Sequence, residues 1–404
     1  MNIQQLHEFD MMSQGKAGGW YASSMLSTIE RTDLSEGEQD DDLLDEATDI
    51  FLSELSERHD SALFDRRVRV AGFNQRLHSR WREAFEALEF AILAHEQAGV
   101  LYKVDHDLKY PNDEDKSYEY SALVRLHARA CQIAQEILTL VRAGYADGAM
   151  ARWRALFEIG TVADFIADHG NETAERFLKF SVRETLREAE EYEEYYENLG
   201  FAPVEDGVIE DLREEMNELR SEYGNSFDSN YGWAEQDLDG DASRRAVARE
   251  VGTVKFMPFY AFASNAIHGG SKGTQYRLGL TEETQGELLS VGPTNVGFTD
   301  PAQLTSLMLH RVTAALLGLG EVSYWKVIVR ALDEIAHEVP EMFVTTPVKS
   351  SVQEASSELT NAIMEQVKEQ MTEREGIDMI EDIEVDDIEI DEILDDVFDL
   401  EANK

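Results

Sequence analysis

FNQRLHSRWREAFEAL, residues 73–88, decides the fold. Phe73, Leu77, Trp81, Phe85 and Leu88 recur at intervals of four, four, four and three, which lines them along one face of a helix. The pattern predicts a helix over 66–99, preceded by another over 44–62 and by a polar loop at 33–43 (DLSEGEQDDDL). Residues 103–117, with Pro111 and a run of charges, read as a loop. Beyond it the same helical period predicts elements from Ser117 to Arg142, from Asp147 to Asp168, and over 172–198 and 205–223. Glycines at 144, 170 and 200 close the first three of these. Residues 224–242 read as loop, 243–250 and 258–268 as short helices, 269–297 as a glycine-punctuated connector. One strongly apolar helix is expected over Leu304–Leu332, opening after Asp300-Pro301, and a last one over 350–374.

Only seven prolines punctuate 404 residues. The fold class is therefore all-α: a helical bundle core with an N-terminal helical extension and an acidic, disordered C-terminal tail. The organisation is an N-terminal helical region (1–115), a helical core domain (116–335), a C-terminal helix (336–375) and the tail (376–404). In that tail, 13 acids and one Lys surround evenly spaced isoleucines (IEDIEVDDIEIDEIL), a composition that solvates rather than packs. The sharper reading of the tail is a docking segment for a protein partner.

The chain holds 82 acids against 36 basic residues, a net charge of −46, and its 25 Arg outnumber its 11 Lys. That pattern points to adaptation to high salt, where repulsion between carboxylates is screened. It also disfavours nonspecific contact with nucleic acid or an anionic membrane, so any polyanion has to bind at a local basic spot. Cys131 is the single cysteine, which excludes an intrachain disulfide and a cysteine-rich metal site. The N-terminal MNIQQLHEFDMM does not read as a signal peptide, and no apolar run approaches the length of a membrane span. A cytoplasmic protein is expected, with self-association left open.

Acid is missing from one place. Val251–Thr281 runs 31 residues without Asp or Glu, in a chain where 82 of 404 residues are acidic. The window is either a functional pocket or plain core. Inside it, Tyr260, Ser264 and His268 fall at i, i+4 and i+8 on a helix that Pro258 opens, with Asn265 at the border of the stripe. His268 lies at the helix end, where the dipole favours an imidazolium. Lys272 and Arg277 follow in a loop without acid, and the set describes a small cationic pocket suited to phosphate or carboxylate.

The second stretch is GYADGAMARWRALFEIG, 144–160, where Asp147, Arg154 and Glu158 share a helix face. Either a surface Arg154–Glu158 pair beside a core helix, or an anion clamp of Arg152 or Arg154 oriented by Glu158, satisfies that spacing. If the pocket is catalytic, His268 is the general acid, Arg152 or Arg154 the clamp on the developing charge with Glu158 orienting it, and Lys272 and Arg277 the phosphate ligands. No phosphate-loop, zinc-protease or nucleophile-elbow motif is present, and no close His pair suggests a metal; no cofactor is implied.

AGYADGAMARWRALFEI (143–159), YGWAEQDL (231–238), FYAFASNAIHGG (259–270), YRLGL (276–280) and VGPTNVGFTDPA (291–302) together resemble the domain-of-unknown-function 5677 family over about residues 118–320. The resemblance implies an all-helical domain and carries no established activity. A looser likeness is to the HEPN helical superfamily, in which an Arg separated by four to six residues from a His cleaves RNA. Before His268 those positions hold Ala263, Phe262 and Ala261, which departs from that pattern. The expectation is a cationic pocket that binds or processes a phosphate-bearing ligand, RNA or a nucleotide, in stress response or phage defence. The alternative is a protein-interaction scaffold without chemistry.

Overall fold

The structure is a computed structural model that describes residues 19–32, 41–112, 115–238, 242–268, 270–271, 291–294 and 296–346. The acidic tail, the expected helix over 350–374, Lys272 and Arg277 lie outside the described residues. Among the described residues every regular element is a helix. In chain order these are α1 (Gly19–Arg31), α2 (Asp41–Lys109), α3 (Tyr118–Arg142), α4 (Ala146–His169), α5 (Asn171–Lys179), α6 (Ser181–Leu199) and α7 (Val208–Tyr223). After two 3₁₀ turns, Asn225–Asp228 and Gly232–Asp237, come α8 (Arg244–Glu250), α9 (Met257–Ile267) and α10 (Thr299–Gly318). Residues 323–346 form α11. No described helix is long and apolar enough to cross a membrane.

The face that Phe73–Leu88 announced is the spine of the core. Leu77, Trp81, Phe85 and Leu88 are all buried. Trp81 meets Phe298 at 5.0 Å and Phe343 at 5.8 Å between ring centres, and Phe85 meets the same two rings at 5.9 and 6.0 Å. Farther along, Tyr102 packs on Trp325 at 4.8 Å. These pairs run in opposite order along the two chains, so α11 lies antiparallel to α2. α3 is antiparallel to α2 as well: Arg142 pairs with Glu89, Gln135 with Glu96, and His127 lies over Gly99. A β-carbon at Gly99 would stand 2.1 Å from the His127 ring, so that crossing requires glycine.

α4 runs through the middle and touches α3, α5, α8, α9 and α10. Its sequence explains the position, since Ala149, Trp153, Leu156, Phe157, Ala163, Phe165 and Ile166 are buried around most of its circumference. Gly144 turns the chain from α3 into α4 with φ of 76°, and its carbonyl accepts from the Thr294 N–H at 2.9 Å, which ties the VGPTNVG segment to this turn. Ser117 caps α3 and Ser243 caps α8, each accepting a backbone N–H.

Four boundaries differ from the sequence reading. The helices expected over 44–62 and 66–99 are one run to Lys109, because Leu63, Phe64 and Asp65 between them include no Gly or Pro to break a helix; its one non-helical residue is Trp81 (φ −110°, ψ 17°). The end at Lys109 comes just before Pro111, whose ring excludes helix from the preceding residue. The stretch 172–198 is split at Phe180, whose ring is buried against Phe227 at 5.6 Å. The apolar helix expected to continue to Leu332 stops at Gly318, and Gly320 sits so close under Trp325 that a β-carbon would be 2.4 Å from its ring.

One polar line crosses the core. His95 Nδ1 donates to Ala91 O at 2.6 Å, and its Nε2 lies 3.4 Å from His310 Nδ1. His310 Nε2 is 3.2 Å from Asp333 Oδ1, and His337 Nδ1 is 3.3 Å from the same oxygen. The line thus joins α2, α10 and α11 and ends at solvent.

Candidate functional site

Tyr260 on α9 points inward and is 4% exposed. Its hydroxyl donates to Glu158 Oε1 on α4 at 2.6 Å. Arg154 and Arg244 both place Nε 3.5 Å from the same oxygen. Both guanidiniums also lie against the Tyr260 ring, with Cζ 4.6 Å (Arg154) and 4.5 Å (Arg244) from its centre. A guanidinium at that distance is attracted by the electron-rich face of the ring, by about 0.5–1 kcal/mol when exposed and about 2 kcal/mol when desolvated. Three helices therefore meet at one carboxylate and one phenol ring: α4 supplies Arg154 and Glu158, α8 supplies Arg244, α9 supplies Tyr260.

The electrostatics follow from that packing. Burial, then the hydrogen bond to Glu158, pushes the Tyr260 phenol up to about 12, so it stays protonated and donates. Burial works against the charge on Arg244, but Tyr231, Glu158 and Tyr260 outweigh it and raise its pKa. Burial also raises Tyr231, although Arg244 pulls the other way. Arg244 Nε is buried and, among the described residues, makes no hydrogen bond. Two guanidiniums against one carboxylate leave a net positive charge of one on this cluster. Their planar forks are held by the ring and by Glu158, an arrangement suited to a bidentate anion such as phosphate.

The expected site residues divide. Arg154, Glu158 and Tyr260 come together. Arg152, two residues from Arg154 on α4, leaves in another direction and places Nε 2.5 Å from Glu136 Oε2 on α3. Ser264 gives its hydroxyl to the Tyr260 carbonyl at 2.9 Å, within its own helix, and Asn265 is half-buried. His268 is the residue after α9 rather than part of its last turn, with extended backbone (φ −96°, ψ 139°), and it is exposed. Among the described residues no hydrogen bond or ion pair joins it to Arg154, Arg244 or Glu158. The acid-free window is not simply core: Tyr260 and Ala263 are buried, but Phe259, Phe262 and Ile267 are each more than a third exposed.

Two members escaped the sequence reading. Tyr231 belongs to the YGWAEQDL motif, where an aromatic and three acids or amides close beside it are its signal in the sequence. Arg244 follows an N-capping serine and carried no signal, since its partners are contributed by α4 and α9. The turn bearing Tyr231 is fixed by Arg176, itself 4% exposed. Arg176 Nε donates to Trp233 O at 3.0 Å, and its Nη2 donates to both Thr173 Oγ1 and Asp237 Oδ2. Gly232 lies so close to the preceding turn that a β-carbon would be 2.3 Å from Phe227 O.

Beside Glu158 and Tyr231 opens a cleft of about 640 Å³ between α3, α4, α5, α6 and the 3₁₀ turns. Among the described residues no group of three or more His, Cys, Asp or Glu is placed to hold a metal ion. No curated protein and no solved structure matches this chain. Residues 120–287, the span containing Arg154, Glu158, Tyr231, Arg244 and Tyr260, match the model of a family of unknown function, DUF5677, and over that span the chain resembles that family.

Proposed function

We propose that the Arg154–Arg244–Tyr260–Glu158 cluster binds a phosphate-bearing ligand, RNA or a nucleotide. The observation that carries this reading is the pair of guanidiniums held on one phenol ring, in a chain whose net charge is −46. Such a chain repels polyanions over most of its surface, so a concentrated, pre-oriented cationic spot marks the place where an anion is tolerated. The exposed His268 at the end of α9 is the group available to donate a proton, should ligand processing follow binding. A role in stress response or phage defence is a setting that fits an RNA or nucleotide ligand. Retention of labelled single-stranded RNA and of a nucleoside triphosphate, measured in dilute and in concentrated KCl, tests the reading. Wild type should bind one of them and the Arg154→Gln, Arg244→Gln double variant should not; equal binding by both would remove the cluster from the site.

A second reading, an interaction scaffold, is favoured by a separate observation. Phe90, Leu93, Val100, Leu101, Val104 and Leu108 form an apolar stripe along α2, and each is at least half exposed. If this face pairs with a second copy, light scattering should show a dimer that Val100→Glu with Val104→Glu converts to monomer. A monomeric wild type would leave the stripe without this role.

A further inference from the structure

We infer that the cleft beside Glu158 and Tyr231 is a nucleoside subsite, so that the ligand of the arginine cluster is a ribonucleotide. This rests on the phosphate reading of Arg154 and Arg244 and deepens it. Three observations support it. First, the cleft holds about 640 Å³, within the range of small-molecule sites, and its lining includes the part-exposed Phe177 and Tyr231 together with the buried Phe180 and Trp233. Phe177 and Trp233 are packed together at 5.1 Å, which makes the aromatic wall rigid. A flat heteroaromatic base is the ligand part that gains most from such a wall, because every base presents a π-face to stack.

Second, Glu158 and Tyr231 belong to both places. They line the cleft, and they contact or face Arg244. The cleft therefore borders the arginine cluster through these two residues. Third, the groups present suit the parts of a nucleotide. The two arginines suit a phosphate. The Glu158 carboxylate, shared by the cluster and the cleft, is an acceptor suited to ribose hydroxyls. The aromatic residues and the Asn230 amide, which line the cleft, suit a base and its polar edge. Asn230 Oδ1 already accepts from Arg183 at 3.2 Å, which fixes the amide with its N–H₂ as the donor for a base carbonyl or ring nitrogen. A carboxylate at the ribose position favours a ribonucleotide over its 2′-deoxy counterpart, since only the former supplies both hydroxyl donors.

The test is calorimetric titration of the full chain with inorganic phosphate, adenosine 5′-monophosphate, guanosine 5′-monophosphate and the two 2′-deoxy counterparts. At least one ribonucleotide should bind roughly tenfold or more tightly than inorganic phosphate, the gain expected of one stacked base. Its 2′-deoxy form should bind more weakly. Phe177→Leu should remove most of the gain over phosphate while leaving phosphate binding in place, which also shows that the variant is folded. Phosphate binding with no gain from any nucleotide would overturn the subsite and leave the arginine reading standing. No binding of phosphate or of any nucleotide would overturn both.

Discussion

Two polar clusters sit in one helical bundle and are treated in opposite ways. Around Tyr260, charge is kept: Arg154 and Arg244 face Glu158, and the side chains of Glu158 and Arg244 are 37% and 35% exposed. Around His95, charge is removed. His95 is wholly buried, and its Nδ1–H goes to Ala91 O, so its Nε2 is an acceptor. His310 Nδ1 must then donate, which leaves His310 Nε2 facing Asp333 and in need of a proton on one side or the other. Charge enters that line only at its outer end, where the Asp333 side chain is 51% exposed. The lesson is one of magnitude. Desolvating an ion costs several kcal/mol even after relaxation, and a neutral hydrogen bond returns only about 1 kcal/mol. Between these two clusters, a full charge survives where water still reaches it and is given up where water does not; the buried Arg176 keeps its charge because Asp237 pairs with it.

The largest expected consequence is a pH dependence. Burial, offset in part by a backbone hydrogen bond, pulls His95 down to about 4, and His127 likewise to about 4. Both values are depressed, so the stability tied to the neutral rings is present above about pH 6.5 and is lost as pH falls towards 4, by roughly 3 kcal/mol for each ring. Asp164 works the other way. Burial raises it to about 6 despite its pair with Arg311, so its share of stability returns as pH falls from 6 towards 4. Two histidines outweigh one aspartate. A His95→Leu, His127→Leu variant should be less stable than wild type at pH 7 and should gain several kcal/mol on it by about pH 4.5. Urea unfolding at both values measures this; a gap independent of pH would mean that the rings titrate normally and that the contrast between the clusters is false.

A smaller effect is expected on the turn that carries Tyr231. Gly232→Ala forces a methyl group against Phe227 O, which should cost about 1–3 kcal/mol as overpacking and should also weaken ligand binding. Thermal unfolding reads the first effect and calorimetry the second. A variant as stable as wild type would show that the turn is not held where the Arg176 contacts place it.

The smallest effect separates ring from hydroxyl. Tyr260→Phe removes the bond to Glu158 at 2.6 Å but keeps the surface under both guanidiniums, and should cost about 1.5 kcal/mol. Tyr260→Leu loses both and should cost clearly more. Equal losses in urea midpoints would mean that the ring contributes nothing to holding the arginines.

The helices were legible because their signal is local. Phe73–Leu88 shows its period directly, and Ser117, Ser243 and Pro258 mark helix starts that the structure keeps. What sequence could not show was where a helix breaks for a distant reason, as at Phe180 under Phe227. The candidate site was legible in the same proportion. Arg154–Glu158 is an i,i+4 pair and was visible as such. That Tyr260 would close on it from 102 residues away, and that Arg244 would join the same oxygen, are facts of packing. Arg152 shows the converse: its neighbour in sequence entered the cluster, while a two-residue step on a helix sent Arg152 to Glu136.

The most direct measurement is of the arginines themselves. In a ¹⁵N-correlated spectrum, the side-chain Nε–Hε signals of Arg154 and Arg244 can be assigned by substitution and followed while a ribonucleoside monophosphate is added. Both should shift together and saturate at one ligand concentration, with Arg152 and Arg311 unmoved. Saturating shifts elsewhere with Arg154 and Arg244 still, or no shift at all, would show that the cluster on Tyr260 only holds the helices together.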